Sequence, residues 1–379
     1  MRDRSSLDFA IVGCGGAGRD IARGIDRAKG ARLVAVHDRE PGRAAELARD
    51  REATVYPTLS ALLRDTDVDV VCIALPHDQL ARTALLALRA GHHVVVEKPA
   101  ATDARGIRSI RDAALRAGRS VGVMFDLRQV HTVRAARRLV ASGALGRLRA
   151  IRIRTLIDKP AGYWESGPTG AVRDPWRSSR ARAGGGVVLM NAVHQLDLVR
   201  AITGLEPLSV AGLVSAGVPG VEVEDAAVAT IAWSGEVLGS LVASAHAPGA
   251  TASETIEIDG DDGALRLGDL YQARPVLDWF RRPAPVGAGT EQGTWRRERP
   301  RPGDPFAATI TGFVEAIKSG SSPVPGLAEA DIALAAVLAL YRSTRSGRFE
   351  RVRPVGVLTD RRAEVTRPGP ALADRRGAR

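Results

Sequence analysis

The sequence predicts an α/β fold in two parts: a doubly wound parallel sheet, followed by an α+β domain whose open sheet is mainly antiparallel. Residues 8–124 alternate between apolar strands and helices with little between them, as doubly wound sheets do. A glycine-rich turn at residues 13–18 directly follows the first strand. Beyond residue 207, strand patterns succeed one another without intervening helices, which favours antiparallel pairing.

The first part has a regular order of elements. The fourth strand lies in the nearly continuous apolar run 68–75, which is typical of a strand buried on both faces of a parallel sheet. Strands are predicted at 8–13, 32–37, 53–55, 68–74, 93–96 and 120–124, and the helices between them begin near Gly16, Pro41, Thr58, His77 and Asp103.

The second part begins with a helix near 129–142 and a strand at 148–156. Residues 157–183 lack a regular pattern and are rich in Gly, Pro, Arg and aromatic residues, and loops this long are usually functional or disordered. Residues 272–304 are polar and proline-rich and remain unassigned. The other predicted elements are a helix at 187–203, strands at 207–215, 225–233, 237–245, 255–259 and 263–267, and helices at 306–318 and 327–346.

These patterns divide the chain into a first domain at 1–125, a second domain at 126–350 and a basic, disordered tail at 351–379. The whole chain is 45% hydrophobic and 26% charged, as in ordinary globular proteins. Its net charge of +11 does not indicate a nucleic-acid partner, because 50 of the 54 basic residues are arginines spread along the chain instead of clustered on one element.

The two cysteines, Cys14 and Cys72, have the spacing of neither a metal-ligand set nor a disulfide framework. A reducing cytoplasm is therefore the expected location. The longest apolar run near the carboxyl end, 332–341, is shorter than the roughly 20 residues that span a bilayer. We expect no membrane partner.

The turn Gly13-Cys14-Gly15-Gly16-Ala17-Gly18 has the spacing of a dinucleotide-binding loop. Its first glycine permits a sharp turn from strand to helix, its second lets a pyrophosphate approach bare backbone, and its third lets helix and strand pack closely. The second strand ends at Asp38, 25 residues after Gly13, where a carboxylate can accept hydrogen bonds from an adenosine ribose. The alternative is a helix start that binds no ligand.

Glu97-Lys98-Pro99 follows the fifth strand and therefore lies at the carboxyl edge of the predicted sheet, where open α/β folds bind ligands. An ammonium group there can hydrogen-bond a substrate oxygen and stabilise the charge that develops as an alcohol becomes a carbonyl. The alternative is a solvated strand end.

Asn191, His194 and Asp197 share one face of the predicted helix at 187–203, since residues three and four apart are neighbours on a helix. The apolar face is separate, so this polar stripe need not face the core. His194 could then accept a proton, with the carboxylate one turn later as its orienting partner. The alternative is a surface histidine near an aspartate. We expect no metal, because neither a cysteine nor a second histidine has ligand spacing nearby.

The stretch 157–183 contains a concentration of aromatic and cationic side chains: Tyr163, Trp164, Trp176 and Arg177. Aromatic faces and a guanidinium group suit sugar rings and their hydroxyl or acidic groups. Packing of the loop by its own aromatic residues is the alternative.

Together these motifs resemble the glucose–fructose oxidoreductase / inositol dehydrogenase (Gfo/Idh/MocA) family. The resemblance covers about residues 8–347, and the motifs come in the family's order. They are the Gly13 loop, Asp38-Arg39, Ala74-Leu75-Pro76-His77, the run 91–99 that ends in Glu97-Lys98-Pro99, Gly143-Ala144-Leu145-Gly146, Trp176-Arg177, the run from Gly184 to His194 and Asp197, and Glu224-Asp225.

The resemblance implies a Rossmann domain that binds NAD, with NADP as the alternative, and a second domain whose open sheet joins a homodimer or homotetramer. Lys98 would contact the reacting hydroxyl after a cis peptide to Pro99, and His194 and Asp197 would be the catalytic histidine and its acid. The cofactor would lie against Gly13, Gly15, Gly16, Ala17, Gly18, Asp38, Arg39, Ala74, Pro76, His77, Glu97 and Lys98. The substrate would meet Lys98, Arg128, Tyr163, Trp164, Trp176, Arg177, Asn191 and His194.

The sequence departs from the family pattern at the helix that carries His194. Many catalytic members have an Asp four residues before the histidine, where this chain has Met190. The determinants of cofactor choice are mixed, because Asp38 favours NAD by repelling a 2′-phosphate whereas Arg39 could attract one.

The sequence therefore predicts a cytoplasmic NAD(P)-dependent oxidoreductase that moves a hydride between nicotinamide and a secondary alcohol or ketone of a sugar, cyclitol or related polyol. Lys98 would bind the reacting oxygen, His194 would accept or donate the proton, and Asp197 would orient His194. Two alternatives remain: an NAD-retaining glycoside hydrolase, and a non-catalytic, nucleotide-dependent binding protein, which Met190 suggests.

Overall fold

The computed structural model describes residues 6–167, 170, 173–250, 253–272, 274–282 and 293–356. Within them, the first part of the chain forms a sheet of six parallel strands in the order β3-β2-β1-β4-β5-β6, which confirms the predicted doubly wound sheet. The strands are β1 (Leu7–Val12), β2 (Ala31–His37), β3 (Thr54–Val55), β4 (Val70–Ile73), β5 (His93–Glu97) and β6 (Val121–Met124). The helices between them are α1 (Gly16–Arg27), α2 (Pro41–Ala48), α3 (Leu59–Leu63), α4 (His77–Arg89) and α5 (Ala104–Ala117).

The strand order creates a crevice at one edge of this sheet. The chain runs outward in one direction from β1 to β3 and then in the other direction from β4 to β6. All four residues of β4 are buried, as its apolar run predicts. Ligands of open α/β folds bind where the strand order reverses, at the carboxyl ends of the strands, so β1 and β4 flank the expected site.

The second part of the chain contributes a nine-stranded sheet in the order β14-β13-β12-β11-β7-β10-β9-β8-β15. Its pairs are antiparallel except β7 with β10, so the mainly antiparallel prediction is confirmed. The strands are β7 (Leu148–Leu156), β8 (Pro207–Ser215), β9 (Ala226–Trp233), β10 (Val237–Ser244), β11 (Ser253–Gly260), β12 (Gly263–Gly268), β13 (Val276–Arg281), β14 (Arg296–Glu298) and β15 (Glu350–Arg351). The strands β13 and β14 occupy part of the stretch 272–304, which the sequence left unassigned.

Helices cover one face of this second sheet and leave the other face open. Along β10, buried and exposed side chains alternate, because successive residues of a strand point to opposite faces. The inward residues share a core with α9 and α11. The helices of this part are α6 (His131–Ala141), α7 (Ala161–Ser166), α8 (Arg180–Ala183), α9 (Val193–Thr203), α10 (Pro305–Ser319) and α11 (Leu327–Ser346).

Helix α10 belongs in space to the first sheet, although it lies within the predicted second domain 126–350. Ile310, Phe313 and Val314 pack in one buried cluster with Phe9 of β1. A Cβ at Gly122 would lie 2.5 Å from the Phe313 ring, so a glycine is needed there for the helix to approach. The chain therefore returns to its first core before it ends.

The first residues of the predicted disordered tail are held against the fold. The Val355 and Gly356 N–H groups donate to the Asp331 carboxylate, and the Arg111 side chain donates to their carbonyl oxygens. Residues 357–379 of the predicted tail lie outside the described residues. None of the helices in the described part combines the length and apolar character that crossing a bilayer requires.

Candidate functional site

A cavity of about 380 Å³ opens along the carboxyl edge of the first sheet, against the segment that leads into α9. Its volume is that of a small-molecule site. The structure brings most of the predicted site residues to this one cavity, while Gly18, Arg128, Trp164, His194 and Asp197 lie outside its lining. The predicted residues that line it are Gly13, Gly15, Gly16, Ala17, Asp38, Arg39, Ala74, Pro76, His77, Glu97, Lys98, Tyr163, Trp176, Arg177 and Asn191.

The glycine turn forms a cradle of bare backbone at the N-terminus of α1. Gly13 has a φ of +97°, and a Cβ there would lie 2.2 Å from the Ala74 carbonyl oxygen. A Cβ at Gly18 would lie 2.0 Å from the Gly13 carbonyl oxygen, so Gly18 acts through close packing instead of lining the cavity. A Cβ at Gly16 would meet nothing within 4 Å, and no side chain of the described residues caps the helix. The first N–H groups of α1 therefore suit an anionic pyrophosphate.

Asp38 lies at the carboxyl end of β2 as a charged acceptor. Its carboxylate accepts hydrogen bonds from the Cys14 N–H at 2.8 Å, the Glu40 N–H at 2.9 Å and Arg43 at 2.7 Å. Burial by itself raises the pKa of Asp38, but the Arg43 and backbone hydrogen bonds hold it below its ordinary value. A fixed carboxylate at this position suits the hydroxyl groups of an adenosine ribose.

Lys98 extends from the end of β5 to the second part of the protein. The Lys98–Pro99 peptide is cis, as expected. Lys98 Nζ donates to the main-chain oxygen of Met190 at 2.6 Å. Burial lowers the pKa of Lys98 while Glu97 opposes the shift, and burial raises the pKa of Glu97 to about 8. A desolvated ammonium group in the cavity wall can bind a substrate oxygen and stabilise charge that develops on it.

Met190 belongs to a π-helical turn, Val188–Ala192, which precedes α9. Such turns often accompany functional sites. Glu224 fixes the entry to the turn, because its carboxylate accepts the Gly186 N–H at 2.7 Å and the Val188 N–H at 3.1 Å. A Cβ at Gly186 would lie 1.8 Å from the Glu224 carbonyl oxygen. The glycine run and Glu224 of the sequence motif therefore work together to position Met190 and Asn191.

One wall of the cavity consists of His77, Trp176 and Arg177, which pack against one another. His77 Nδ1 donates to the Ala183 carbonyl oxygen at 2.8 Å, and its ring lies 4.7 Å from the Trp176 ring. The Arg177 guanidinium lies 4.5 Å over Trp176 and 5.5 Å over Tyr163. Burial, followed by the charge of Lys98, lowers the pKa of His77 to about 3, so its imidazole is neutral at physiological pH.

Lys159 is a site residue that the sequence analysis missed. It is 6% exposed, donates to Asn191 Oδ1 at 2.6 Å and lies 4.4 Å over the Tyr163 ring. Burial, followed by the charge of Arg177, lowers the pKa of Lys159 to about 7. Its amine therefore changes charge near neutral pH. The available signal was its rarity, since only four lysines occur in the chain and Lys159 lies within the aromatic-rich stretch 157–183.

His194 and Asp197 do not form the predicted pair. The Asp197 carboxylate instead accepts two hydrogen bonds from Arg128, at 2.6 and 2.5 Å, and the two side chains are 1% and 11% exposed. The predictions that Asp197 orients His194 and that Arg128 lines the pocket are therefore wrong, because the two charges neutralise each other in the interior. The separate apolar face left open whether the polar stripe faces the core, and in the structure α9 is buried on nearly all sides.

His194 does not line the cavity, but the charge of Lys98 acts on it. Burial, followed by the charge of Lys98, lowers the pKa of His194 well below its ordinary value and keeps the imidazole neutral. Its ring lies edge-on to Phe125 at 5.8 Å and to Tyr271 at 6.1 Å. Nδ1 has no hydrogen-bond partner among the described residues. A neutral imidazole can accept a proton. No carboxylate among the described residues bonds to His194 Nδ1 to orient the ring.

Glu254 on β11 is a fully buried carboxyl group near the two lysines. It faces Thr155 across the strand pair, and the Thr155 hydroxyl lies 3.3 Å from Gln195 Oε1. The Gln195 amide lies beside Glu254, but no hydrogen bond of normal geometry to either oxygen is present in the described part of the chain. Burial raises the pKa of Glu254 to about 8, and the charges of Lys98 and Lys159 oppose this shift. The carboxyl group is therefore protonated at neutral pH.

Replacing Glu254 with glutamine should remove a pH dependence of stability. The folded pKa of about 8 lies above the unfolded value of 4.5. The stability that protonation of Glu254 contributes is therefore fully present below pH 4.5 and is lost as the pH rises towards 8. The free energy of unfolding of the wild type should therefore fall, relative to Glu254→Gln, by roughly 5 kcal/mol as the pH rises from 4.5 to 8. Urea unfolding at several pH values measures this difference.

Glu257→Gln is the matched control for this experiment. Glu257 lies on the same strand but is paired with Arg152 near the surface. Its replacement should leave the pH dependence as in the wild type. Parallel curves for the wild type and Glu254→Gln would contradict the assignment of a raised pKa to Glu254.

Trp164 lies behind the cavity wall and not in it, so its predicted place in the lining is wrong. It is 3% exposed and packs edge-on against Tyr163 at 5.3 Å, with Lys159 Nζ 5.4 Å from its ring. Its large apolar ring therefore supports Tyr163 and Lys159.

Across the described ranges, no group of three or more His, Cys, Asp and Glu side chains is arranged to hold a metal ion.

Two family models match the chain. One, described as an oxidoreductase family with an NAD-binding Rossmann fold, matches residues 7–125. The other, the GFO/IDH/MocA C-terminal domain, matches residues 133–266. Together they cover more than half of the chain.

Individual proteins show the same similarity. A 1,5-anhydro-D-fructose reductase from Ensifer adhaerens is 28% identical over 272 residues, which are 71% of this chain and 78% of the relative. An inositol 2-dehydrogenase from Saccharopolyspora erythraea is 31% identical over 204 residues, or 53% of this chain and 55% of the relative. The solved structure of a levoglucosan dehydrogenase in complex with NADH has a TM-score of 0.81 at 23% identity, with 92% of this chain and 100% of that chain covered. That structure therefore shares the fold.

Proposed function

The chain belongs to the Gfo/Idh/MocA family of NAD-binding oxidoreductases, and from this premise we propose that it transfers a hydride between nicotinamide and a secondary alcohol or ketone of a sugar, cyclitol or related polyol. The observation that carries the proposal is the single cavity that joins the glycine cradle to Lys98. The names of the relatives, which include an anhydrofructose reductase and an inositol dehydrogenase, support this substrate class.

The residues present fit NAD, because the uncapped N-terminus of α1 offers bare backbone to an anion. Gly15, Gly16 and Ala17 would hold the pyrophosphate, and Asp38 would hold the adenosine ribose. His77, on the turn after β4, would bound the nicotinamide end. When bound, the nicotinamide supplies or accepts the hydride.

Lys98 would bind the reacting oxygen. Its ammonium group has three donors, of which one is used by Met190, so others remain for a substrate oxygen. As the alcohol loses its proton, Lys98 would stabilise the negative charge on that oxygen. His194, whose imidazole is neutral, would accept the proton. Lys159 would hold the Asn191 amide in position to meet a neighbouring hydroxyl group.

The test is a substrate panel with the purified protein. NAD would be mixed with inositol, levoglucosan and other polyols, and NADH with 1,5-anhydro-D-fructose, while the absorbance of reduced nicotinamide is followed. At least one polyol or sugar should give a steady change that depends on protein concentration. Hydrolysis of a glycoside without net formation of NADH would indicate a hydrolase instead.

A non-catalytic, nucleotide-dependent binding protein is the second candidate, and Met190 is the observation that favours it. The Met190 side chain presents a thioether 4.0 Å from the Tyr163 hydroxyl, where many catalytic members carry an acid. Tight NAD binding without turnover of any member of the panel would support this candidate.

We also propose that the protein forms a homodimer or homotetramer through the open face of the second sheet. Leu213 pairs with Val228, and Val228 pairs with Val242, so these side chains form a continuous apolar row across three strands. They are 67%, 61% and 40% exposed. Burial of such a row against a second copy would remove its apolar surface from water.

Val228→Lys should convert the assembly to monomers, because it places a charge in the centre of the row. Sedimentation velocity measures the change, and the NAD dissociation constant should be unaltered. Leu115→Lys is the matched control, since Leu115 is 67% exposed on α5 of the other domain. An oligomer of unchanged size in Val228→Lys would contradict this interface.

We further propose that the protein works in a reducing cytoplasm. Cys14 and Cys72 are both free and buried. Burial raises the pKa of Cys14 to about 12, so this thiol is not poised for disulfide chemistry.

A further inference from the structure

The adenosine end of the cavity contains two arginines, and each is paired with a different carboxylate. Arg43 donates to Asp38 at 2.7 Å, and Arg39 donates to Asp174 at 3.1 Å. Arg39, Arg43, Asp38 and Asp174 all line the cavity. Asp174 lies in the segment between β7 and α9, so it reaches Arg39 from the second part of the protein.

Asp174 is held firmly in place. It is 6% exposed, and its carboxylate also accepts hydrogen bonds from both terminal nitrogens of Arg182 and from the Trp176 N–H at 3.2 Å. Burial by itself raises the pKa of Asp174, but the Arg182 hydrogen bond and the charges of Arg182 and Arg39 hold it below its ordinary value. The group is thus a fixed negative charge that cannot follow Arg39 if that side chain turns away.

A 2′-phosphate distinguishes NADP from NAD, and an arginine after the second strand is the group that accommodates it. Arg39 has the position for this role, but its guanidinium already bonds to Asp174. To bind a 2′-phosphate, Arg39 would have to leave Asp174, and the phosphate would then lie near the carboxylates of Asp38 and Asp174. Like charges in such a site oppose each other.

We propose that Asp174 is a specificity residue that makes this site prefer NAD to NADP, because it occupies the Arg39 guanidinium that a 2′-phosphate would require. This inference rests on the cofactor site described above and extends it to a residue outside the Rossmann domain. It assigns the choice of cofactor to a contact between residues 135 positions apart. Asp38 alone would account for NAD binding, whereas the contact between Asp174 and Arg39 would keep this arginine from binding a 2′-phosphate.

The experiment measures the dissociation constants of NAD and NADP by isothermal titration calorimetry with the whole protein freed of nucleotide. Asp174→Asn removes the charge and keeps an oxygen for the Trp176 N–H. Because the freed Arg39 guanidinium can then donate charge-assisted hydrogen bonds to a 2′-phosphate, NADP binding should tighten about tenfold. NAD binding should change less than about threefold, because a 2′-hydroxyl does not need Arg39.

Asp78→Asn is the matched control. Asp78 also accepts a hydrogen bond from Arg182, at 3.4 Å, but none from Arg39. The ratio of the two dissociation constants should therefore stay at the wild-type value. An unchanged ratio in Asp174→Asn as well would overturn the inference.

Arg39→Gln supplies a second test, and its measurement in the otherwise wild-type protein does not depend on how Asp174→Asn folds. In the otherwise wild-type protein, its effect on NADP binding should be less than about twofold, because Asp174 already occupies the arginine. In the Asp174→Asn background it should cancel the gain in NADP affinity. A large loss of NADP affinity from Arg39→Gln alone would overturn the inference, and failure of the wild type to bind either nucleotide would overturn the cofactor site itself.

Discussion

Lys98→Met should reduce turnover about 10²–10³-fold on any sugar or polyol that the wild type oxidises, because removal of one charge-stabilising donor from a water-poor site has an effect of this size. The methionine keeps the length and apolar stem of lysine but has no charge. The dissociation constant of NAD should change little, since the glycine cradle and Asp38 are untouched. Steady-state kinetics and calorimetry on the same preparation measure the two effects.

Lys29→Met is the matched control for Lys98. Lys29 is one of the four lysines and is exposed. It lies between α1 and β2, at the opposite end of β2 from the carboxyl edge of the sheet. Its replacement should leave both turnover and NAD binding unchanged. Turnover of Lys98→Met equal to that of the wild type would reject the role of Lys98 in binding the reacting oxygen.

Replacing either partner of the Arg128–Asp197 pair should destabilise the fold by about 3–5 kcal/mol, because the remaining buried charge loses its partner. Asp197→Leu leaves a guanidinium group that is 11% exposed, and Arg128→Met leaves a carboxylate that is 1% exposed. Urea unfolding, followed by the fluorescence of the buried tryptophans, measures the loss.

The double variant Arg128→Met/Asp197→Leu tests whether the charges act as a pair. It should recover most of the stability lost in either single variant, since apolar side chains of similar volume often replace a buried ion pair at little cost. Arg200→Met, which removes a partner of the more exposed Glu206, is the control and should cost less than about 1 kcal/mol. A single variant as stable as the wild type would contradict the view that Asp197 serves the structure.

The parts of the fold that the sequence predicts are those that depend on local patterns. The run 68–75 becomes the fully buried β4, and the turn at Gly13 becomes the bare N-terminus of α1. In the first case, consecutive apolar residues indicate burial on both faces of the strand. In the second, closely spaced glycines indicate a tight turn. The same is true of Lys98, because the end of a parallel strand has a fixed place in a doubly wound sheet.

The pairing of charged side chains was not predictable in the same way. Arg128 and Asp197 are 69 residues apart, and Arg39 and Asp174 are 135 apart, so no local pattern connects them. Helical spacing placed Asp197 one turn after His194. It could not show that Arg128, from another part of the chain, bonds to the Asp197 carboxylate. Prediction of the catalytic dyad failed for that reason.

The π-helical turn at Val188–Ala192 is a second feature that local patterns concealed. Apolar periodicity predicted one helix from 187 to 203, since one extra residue in a turn changes the periodicity only slightly. That turn places the Met190 carbonyl against Lys98 and the Asn191 amide against Lys159. The rarity of lysine could have drawn attention to Lys159, but its contact with Asn191 spans 32 residues and no local pattern connects the two.

A crystal structure of the protein with NAD bound tests the central claim most directly, because it shows which end of the dinucleotide lies beside which residues. We predict the pyrophosphate on the backbone of Gly15 to Ala17, the ribose hydroxyls on Asp38, and the nicotinamide ring next to the Lys98 ammonium group. A nicotinamide ring bound out of reach of Lys98, or a dinucleotide bound elsewhere than in this cavity, would contradict the account.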